Sequence, residues 1–188
     1  YARMVNVFNL EWMTCVIEKG NYFNDLSLKK QEDFYANECV SNSKQVVIIS
    51  DALRYEVAAE LMQELAKEKH IAKLSAYRAM LPTETKYCKP ALLPHTSLIW
   101  KNKEMLVDGE VLDTLESRSV QVAKYKESAC CVDYETVIKA DVKTARELFK
   151  RPLVYIFHDT IDAASHGAGA GDVIAACRKA IEQLAVLV

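Results

Sequence analysis

Long apolar runs are missing from this chain: unbroken stretches such as Val46 to Ile49 end after a handful of residues, far short of the ~20 that span a bilayer. That excludes a membrane-spanning helix, and no membrane partner is expected. Also missing is an opening made of a basic segment, an apolar segment and a small-residue cleavage site, so the expected location is the cytoplasm. Charge of one sign is lacking, since 24 Lys and Arg stand against 26 Asp and Glu for a formal net charge of -2. A protein that grips nucleic acid mainly through a basic surface is therefore disfavoured, although a local groove is compatible with these totals. The six cysteines, Cys15, Cys39, Cys88, Cys130, Cys131 and Cys177, form no CxxC pair and no disulfide framework, and read as reduced thiols. Neither GxGxxG nor GxxxxGK[ST] occurs, so dinucleotide and P-loop nucleotide binding lack their apparatus. No internal repeat is present.

What is present is the balance of one globular domain: 188 residues, 51% hydrophobic and 27% charged, enough to bury a substantial core. The chain opens at Tyr1 and stops inside the apolar helical stretch Ile181 to Val188, so both ends read as cut from a longer polypeptide. Residues 1–40 carry apolar positions at spacings of three and four (Val5, Phe8, Trp12, Val16, then Leu28, Phe34, Tyr35) around Gly20-Asn21, which predicts an N-terminal helical segment. Residues 41–188 then read as an α/β domain. Gln45 to Ser50 (QVVIIS) and Leu153 to Phe157 (LVYIF) are short β-branched or apolar runs suited to strands buried on both faces. Leu53, Val57, Leu61 and Leu65 repeat at i+4 and predict a helix up to about Lys69. Further strands are expected over Ala72 to Ala79, Ser97 to Trp100 and Met105 to Val107, with Asp108-Gly109 as a turn. Helices are expected over Leu112 to Tyr125, Asp141 to Lys150 and Asp172 to Val188, with Gly167 to Gly171 (GAGAG) as a flexible loop. Buried strands alternating with helices predict a mainly parallel sheet covered on both faces.

In such sheets ligands sit beyond the carboxyl ends of the strands, and three segments place reactive residues there. Asp51 follows QVVIIS directly; it is either a ligand or the N-cap of a helix starting at Ala52. Thr83-Glu84-Thr85 follows Pro82. A threonine hydroxyl there is either a cap or a nucleophile activated by a metal. Asp162 and His166 lie four apart beyond LVYIF and can converge on one zinc or manganese ion, or belong to a solvated loop. Weaker candidates are His158 and Asp159, as partners of metal ligands or as strand-end residues, and Arg54, as an anion contact or an exposed helix residue. His95 reads as a loop residue, and Cys130-Cys131 as structural.

Three strings, VVIISDALRYEVAAEL, LPTETKYCKPALLPH and LVYIFHDTIDAASH, occur in this order. With the lead-in QEDFYANECV and the linking VDGEVL they resemble the PglZ domain, a member of the alkaline phosphatase superfamily found in bacteriophage-exclusion (BREX) defence systems. The likeness runs from about Gln31 to the last residue. It implies metal-dependent hydrolysis of a phosphate ester or phosphodiester, with two divalent cations, zinc or manganese, and with other phage-defence proteins as partners; the substrate, a nucleotide or a nucleic acid among the options, stays open. It also implies residue roles: Asp51 on one metal, Thr85 as nucleophile and ligand of that metal with Thr83 as fallback, and Asp162 and His166 on the other. Some PglZ domains carry an acidic residue at that last place, so His166 makes this chain more phosphatase-like. The superfamily completes its sites with a later Asp-His pair and another His, and none follows His166. The C-terminal part of the domain is thus expected to be missing and the piece itself inactive. Two alternatives remain: a non-catalytic interaction module of a defence complex, and a flavodoxin-like small-ligand domain, which explains Asp51 but not Asp162 with His166.

Overall fold

In the computed structural model, residues 2–19, 27–167 and 169–188 are described, and the expected Gly20-Asn21 break lies outside them. Helix α1 (Ala2–Lys19) comes first, then a 3-10 turn at Gln31–Asp33 leading into α2 (Phe34–Glu38), strand β1 (Gln45–Ser50) and helix α3 (Tyr55–Lys67). A single turn, α4 (Thr85–Cys88), and a second 3-10 turn at Pro90–Leu92 precede strands β2 (Leu98–Lys101), β3 (Glu104–Val107) and β4 (Glu110–Val111). After them come α5 (Leu115–Tyr125), β5 (Cys130–Asp133), α6 (Tyr134–Lys139), α7 (Val142–Phe149), β6 (Leu153–His158), α8 (Thr160–Ser165) and α9 (Ala170–Leu187).

The apolar runs at 45–50 and 153–158 pair in parallel, Gln45 opposite Leu153 through Ser50 opposite His158. β5 joins the other side of β6, again parallel, giving the order β1-β6-β5. Because side chains alternate along a strand, this sheet feeds two cores. Val47, Ile49, Cys131, Leu153, Tyr155 and Phe157 pack with Leu93, Val107, Leu112 and Val122 on one face. On the other, Ile48, Cys130, Val132, Val154 and Ile156 pack with Tyr134, Val137, Leu148 and Leu187. Both faces are covered, as the continuous apolar strands require. Each fully enclosed aliphatic residue, such as Leu153 or Ile156, stabilises the fold by roughly 1.5–3 kcal/mol relative to exposure. A third cluster, Val57, Ile161, Ala180 and Ile181, locks α3, α8 and α9 together behind the carboxyl edge.

β2, β3 and β4 form a separate antiparallel sheet. Its two tight turns have positive φ at both central residues, 52° and 65° at Asn102-Lys103 and 51° and 91° at Asp108-Gly109. That geometry matches the strand twist and is easiest for glycine. Thr114 caps α5 in a reciprocal box with Ser117, while Asp133 and Asp141 cap α6 and α7 by accepting from the N–H groups of Thr136 and Thr144.

Three expectations are corrected, and one strand is added. Residues 72–79 form no strand; in backbone pairing Arg78 takes part in an isolated bridge to Lys30, and among the described residues no neighbouring strand extends it into a ladder. The helix after β1 starts at Tyr55 with Arg54 at its N-cap position; Ala52 at φ 60° turns the chain first, so Asp51 is not its cap. β5 escaped notice because it is only four residues long and its cysteines read as packing residues. The GAGAG stretch is not all loop, since α9 begins at Ala170. All six cysteines are free thiols, and burial pushes the Cys131 thiol up to about 12, which keeps it unreactive. Among the described residues no helix is long and apolar enough to cross a membrane. Helix α1 forms as its periodicity predicts, yet Phe8, Met13 and Ile17 stay exposed on it.

Candidate active site

The ladder between β1 and β6 extends one residue past the strands, where the Asp51 N–H donates to the His158 carbonyl at 2.8 Å. This fixes Asp51 at the carboxyl edge of the sheet. Its Oδ1 accepts from the Ala52 N–H at 3.0 Å and, over a long 3.5 Å contact, from the Thr85 hydroxyl. Its Oδ2 is shut away from solvent and accepts no well-directed hydrogen bond; its neighbour is Lys89 Nζ, an ion pair at 2.6 Å. The Lys89 N–H bonds the Thr85 carbonyl at 3.0 Å, closing the single turn of α4. Residues four apart share a helix face, which is how Thr85 and Lys89 both reach Asp51.

β6 leads directly into α8, where the same spacing brings Asp162 Oδ2 to 3.4 Å from His166 Nε2. His166 is 77% exposed and Asp162 31%. The two pairs therefore leave from adjacent strands of one sheet edge, but no hydrogen bond or ion pair joins them among the described residues. Nor do three or more His, Cys, Asp or Glu side chains gather there as a metal-ligand group.

The weaker candidates separate. His158 is almost fully buried, with Nδ1 2.8 Å from the Ser50 hydroxyl and Nε2 3.1 Å from Gln183 Oε1. Gln183 Oε1 also accepts from the Thr160 hydroxyl at 2.8 Å, so the network assigns the His158 proton to Nε2 and makes Nδ1 the acceptor from Ser50. With both ring nitrogens taken and Tyr134 edge-on at 5.0 Å, His158 ties β1, β6 and α9 together as a core residue. Asp159 is exposed one residue beyond the last β1–β6 pair, at the N-cap position of α8 without a side-chain cap bond. Arg54 is exposed without a carboxylate partner among the described residues. Thr83 is exposed and precedes α4, whose N-cap position is Glu84, so Thr83 is not a helix cap. His95 is a loop residue whose Nδ1 lies 2.7 Å from the Leu93 carbonyl oxygen.

Residues 35–188 match the model of the BREX system PglZ alkaline phosphatase-like domain. The chain belongs to the PglZ family. Among curated PglZ relatives it is 28% identical over 193 residues to the alkaline phosphatase-like protein PglZ of Bacillus cereus (strain H3081.97), covering 98% of this chain and 23% of that protein. It is 34% identical over 179 residues to the alkaline phosphatase-like protein BrxZ of Escherichia coli O9:H4 (strain HS), covering 92% of this chain and 20% of that protein. The chain thus spans about a fifth of the length of the curated PglZ proteins it matches. No solved structure matches it.

Within this PglZ segment, the buried Asp51 Oδ2 facing a single ammonium is the observation that bears on a cation. A carboxylate oxygen removed from water without a hydrogen bond is costly unless a positive charge stands against it. Asp51 and Thr85 offer oxygen donors, and Asp162 and His166 an oxygen and a nitrogen, of the kinds divalent zinc accepts. Lys89 was missed by sequence reasoning. Its signal, the i+4 spacing from Thr85, becomes visible only once a helical turn is placed at 85–88.

Proposed function

We propose that this segment works inside a protein of its PglZ relatives' length as the nucleophile-bearing part of a metal-dependent hydrolase of phosphate esters or phosphodiesters in phage defence. Residues 1–40 serve as a helical lead-in to the α/β unit of 41–188. The supporting observation is the convergence of Asp51, Thr85 and Lys89 at the sheet edge where β1 meets β6. Asp51 and Thr85 would hold one divalent cation and Asp162 with His166 a second, of zinc or manganese; bound cations lower the pKa of hydroxyls they ligate and neutralise charge on phosphate oxygens. The chain's own residues do the rest. Thr85 presents an exposed hydroxyl, and Asp51 Oδ1 is the acceptor facing its proton. Lys89 holds Asp51 in place and carries positive charge beside the attacking oxygen. Protein-held zinc takes three or four ligands, so each pair needs further donors from outside these residues. Other defence proteins are its expected partners.

The test is hydrolysis of an activated phosphodiester by the full-length protein with zinc or manganese. Thr85→Ala removes the nucleophile and a ligand together and should bring the rate to background. A Thr85→Ala protein as active as wild type and correctly folded would overturn the assignment. One observation favours a second reading, a scaffold that kept the fold without the chemistry: Lys89 already neutralises Asp51. In that case Thr85→Ala has no effect, and no divalent cation binds at Asp51.

A further inference from the structure

Beside Thr85 lies a cavity of about 460 Å³, walled by α4, the β2–β3–β4 sheet and the start of α5, a size suited to a small organic ligand. Four of its lining side chains are cationic, Lys86, Lys89, Lys103 and Arg118, against two carboxylates, Glu104 and Asp113. Lys89 is engaged by Asp51, and Lys86 by Glu84 at 3.3 Å. Lys103 and Arg118 have no carboxylate within ion-pairing distance among the described residues, although Asp113 and Asp51 act on Arg118 through space; each brings to the cavity a positive charge without a salt-bridge partner.

Neither cation is there casually. Arg118 is half-buried. Its Nε–H donates to the Leu112 carbonyl at 3.0 Å, an NH2 group donates to the Asp113 carbonyl at 3.3 Å, and its plane sits 4.7 Å from the Phe157 ring. Carbonyls orient a guanidinium without neutralising it, and five N–H donors leave some free for an anion. Lys103 occupies the second central position of the β2–β3 turn at φ 65°, where glycine fits best and a side chain carries strain. The turn also offers its Lys103 carbonyl to the Tyr87 hydroxyl at 3.3 Å. Buried Met105 and Leu112 supply an apolar floor.

We infer that this cavity binds a second phosphate of the substrate, one carried by the group esterified to the phosphate that Thr85 attacks, and that Arg118 and Lys103 recognise it. The substrate class is then a small phosphorylated molecule with two linked or neighbouring phosphates, as in a nucleoside diphosphate, and not the monoester of a neutral alcohol. The inference rests on the proposed role of Thr85 for the identity of the reacting phosphate, but not for the anion site itself.

Binding of pyrophosphate and of orthophosphate to the metal-free full-length protein, measured calorimetrically in the presence of a chelator, tests it. Pyrophosphate should bind at least about tenfold more tightly than orthophosphate, since it brings more negative charge and more acceptor oxygens to Arg118 and Lys103. Arg118→Gln should weaken pyrophosphate by about tenfold or more and the exposed Lys103→Ala, which leaves the core intact, by about threefold. Thr85→Ala should leave pyrophosphate binding within about twofold. Equal affinity for the two anions, or undiminished pyrophosphate binding in folded Lys103→Ala and Arg118→Gln, would overturn the site. If Thr85→Ala keeps full hydrolytic activity while pyrophosphate binding still depends on Arg118, the hydrolase reading fails and the anion site stands; the opposite pattern sinks the anion site alone.

Discussion

Asp108 and Asp51 each stand directly after a strand, β3 and β1 respectively, and the molecule treats them in opposite ways. Asp108 Oδ1 accepts from the Thr96 N–H, the Thr96 hydroxyl and the Ser97 N–H at 2.8, 2.9 and 2.8 Å, and Oδ2 from Gln121 Nε2 and the Tyr125 hydroxyl at 2.8 and 2.6 Å. Burial alone would raise its pKa, but the hydrogen bonds from Tyr125, Ser97, Thr96 and Gln121 outweigh it and hold the carboxyl well below the usual range. Asp51 has two donors on one oxygen, one of them distant, and a lone ammonium on the other. A carboxylate saturated by its own protein is a structural joint, here tying the small sheet to α5. One left short of donors is open to an outside cation. The histidines repeat the contrast: both nitrogens of His158 are used internally, while among the described residues His166 pairs with Asp162 alone.

The comparison can be broken most forcefully at Thr85. In the full-length protein, Thr85→Ala should cut the hydrolysis rate by roughly three orders of magnitude or more, with thermal unfolding unchanged. Asp108→Ala should do the reverse. Loss of a charge-assisted cluster that takes one acceptor from Gln121, which keeps the Pro94 carbonyl, and the carboxylate acceptor from Tyr125 should cost roughly 3 kcal/mol of stability, read as a lower urea midpoint, without removing the proposed nucleophile.

The two aspartates should also differ toward acid. Because the folded pKa of Asp108 is depressed, its contribution is complete above the unfolded carboxylate range and is lost as pH falls below about 4. The wild type should therefore lose stability in that window more steeply than Asp108→Asn, and equal slopes would deny Asp108 its role. Asp51→Asn should cost roughly 2–3 kcal/mol, since the Asp51–Lys89 pair is mostly buried and Lys89 is left without its carboxylate, still no more than the loss at Asp108. Smallest of all is Thr83→Ala. An exposed side chain outside the turn should change stability by less than about 0.5 kcal/mol and leave hydrolysis intact, which separates the two threonines.

β6 was legible because a strand buried on both faces must be apolar throughout, as LVYIF is, and β1 because of its β-branched run VVII, although Val46 on that edge strand stays exposed. The same logic failed at 72–79, where alternation exists but the described residues offer no partner strand, and at Cys130–Asp133, where a partner exists but the run is too short to stand out. Asp51 and Thr85 could be nominated from their places after a strand and after a proline. Their 3.5 Å contact could not, nor could Lys89, because both depend on a single helical turn at 85–88. Asp108 read only as the start of an Asp-Gly turn; its donors come from residues 96, 97, 121 and 125, which tertiary folding alone assembles. Arg118 was invisible for a similar reason, as its charge matters only once α5 is laid beside the small sheet.

The most direct test of an open Asp51 is metal content. Elemental analysis of the dialysed full-length protein beside its Asp51→Asn and Asp162→Asn variants should give about two zinc or manganese ions per chain in the wild type and about one in each variant, with little metal kept by the 188-residue segment alone. Metal content unchanged by Asp51→Asn, or no bound metal in the full-length protein, would contradict it.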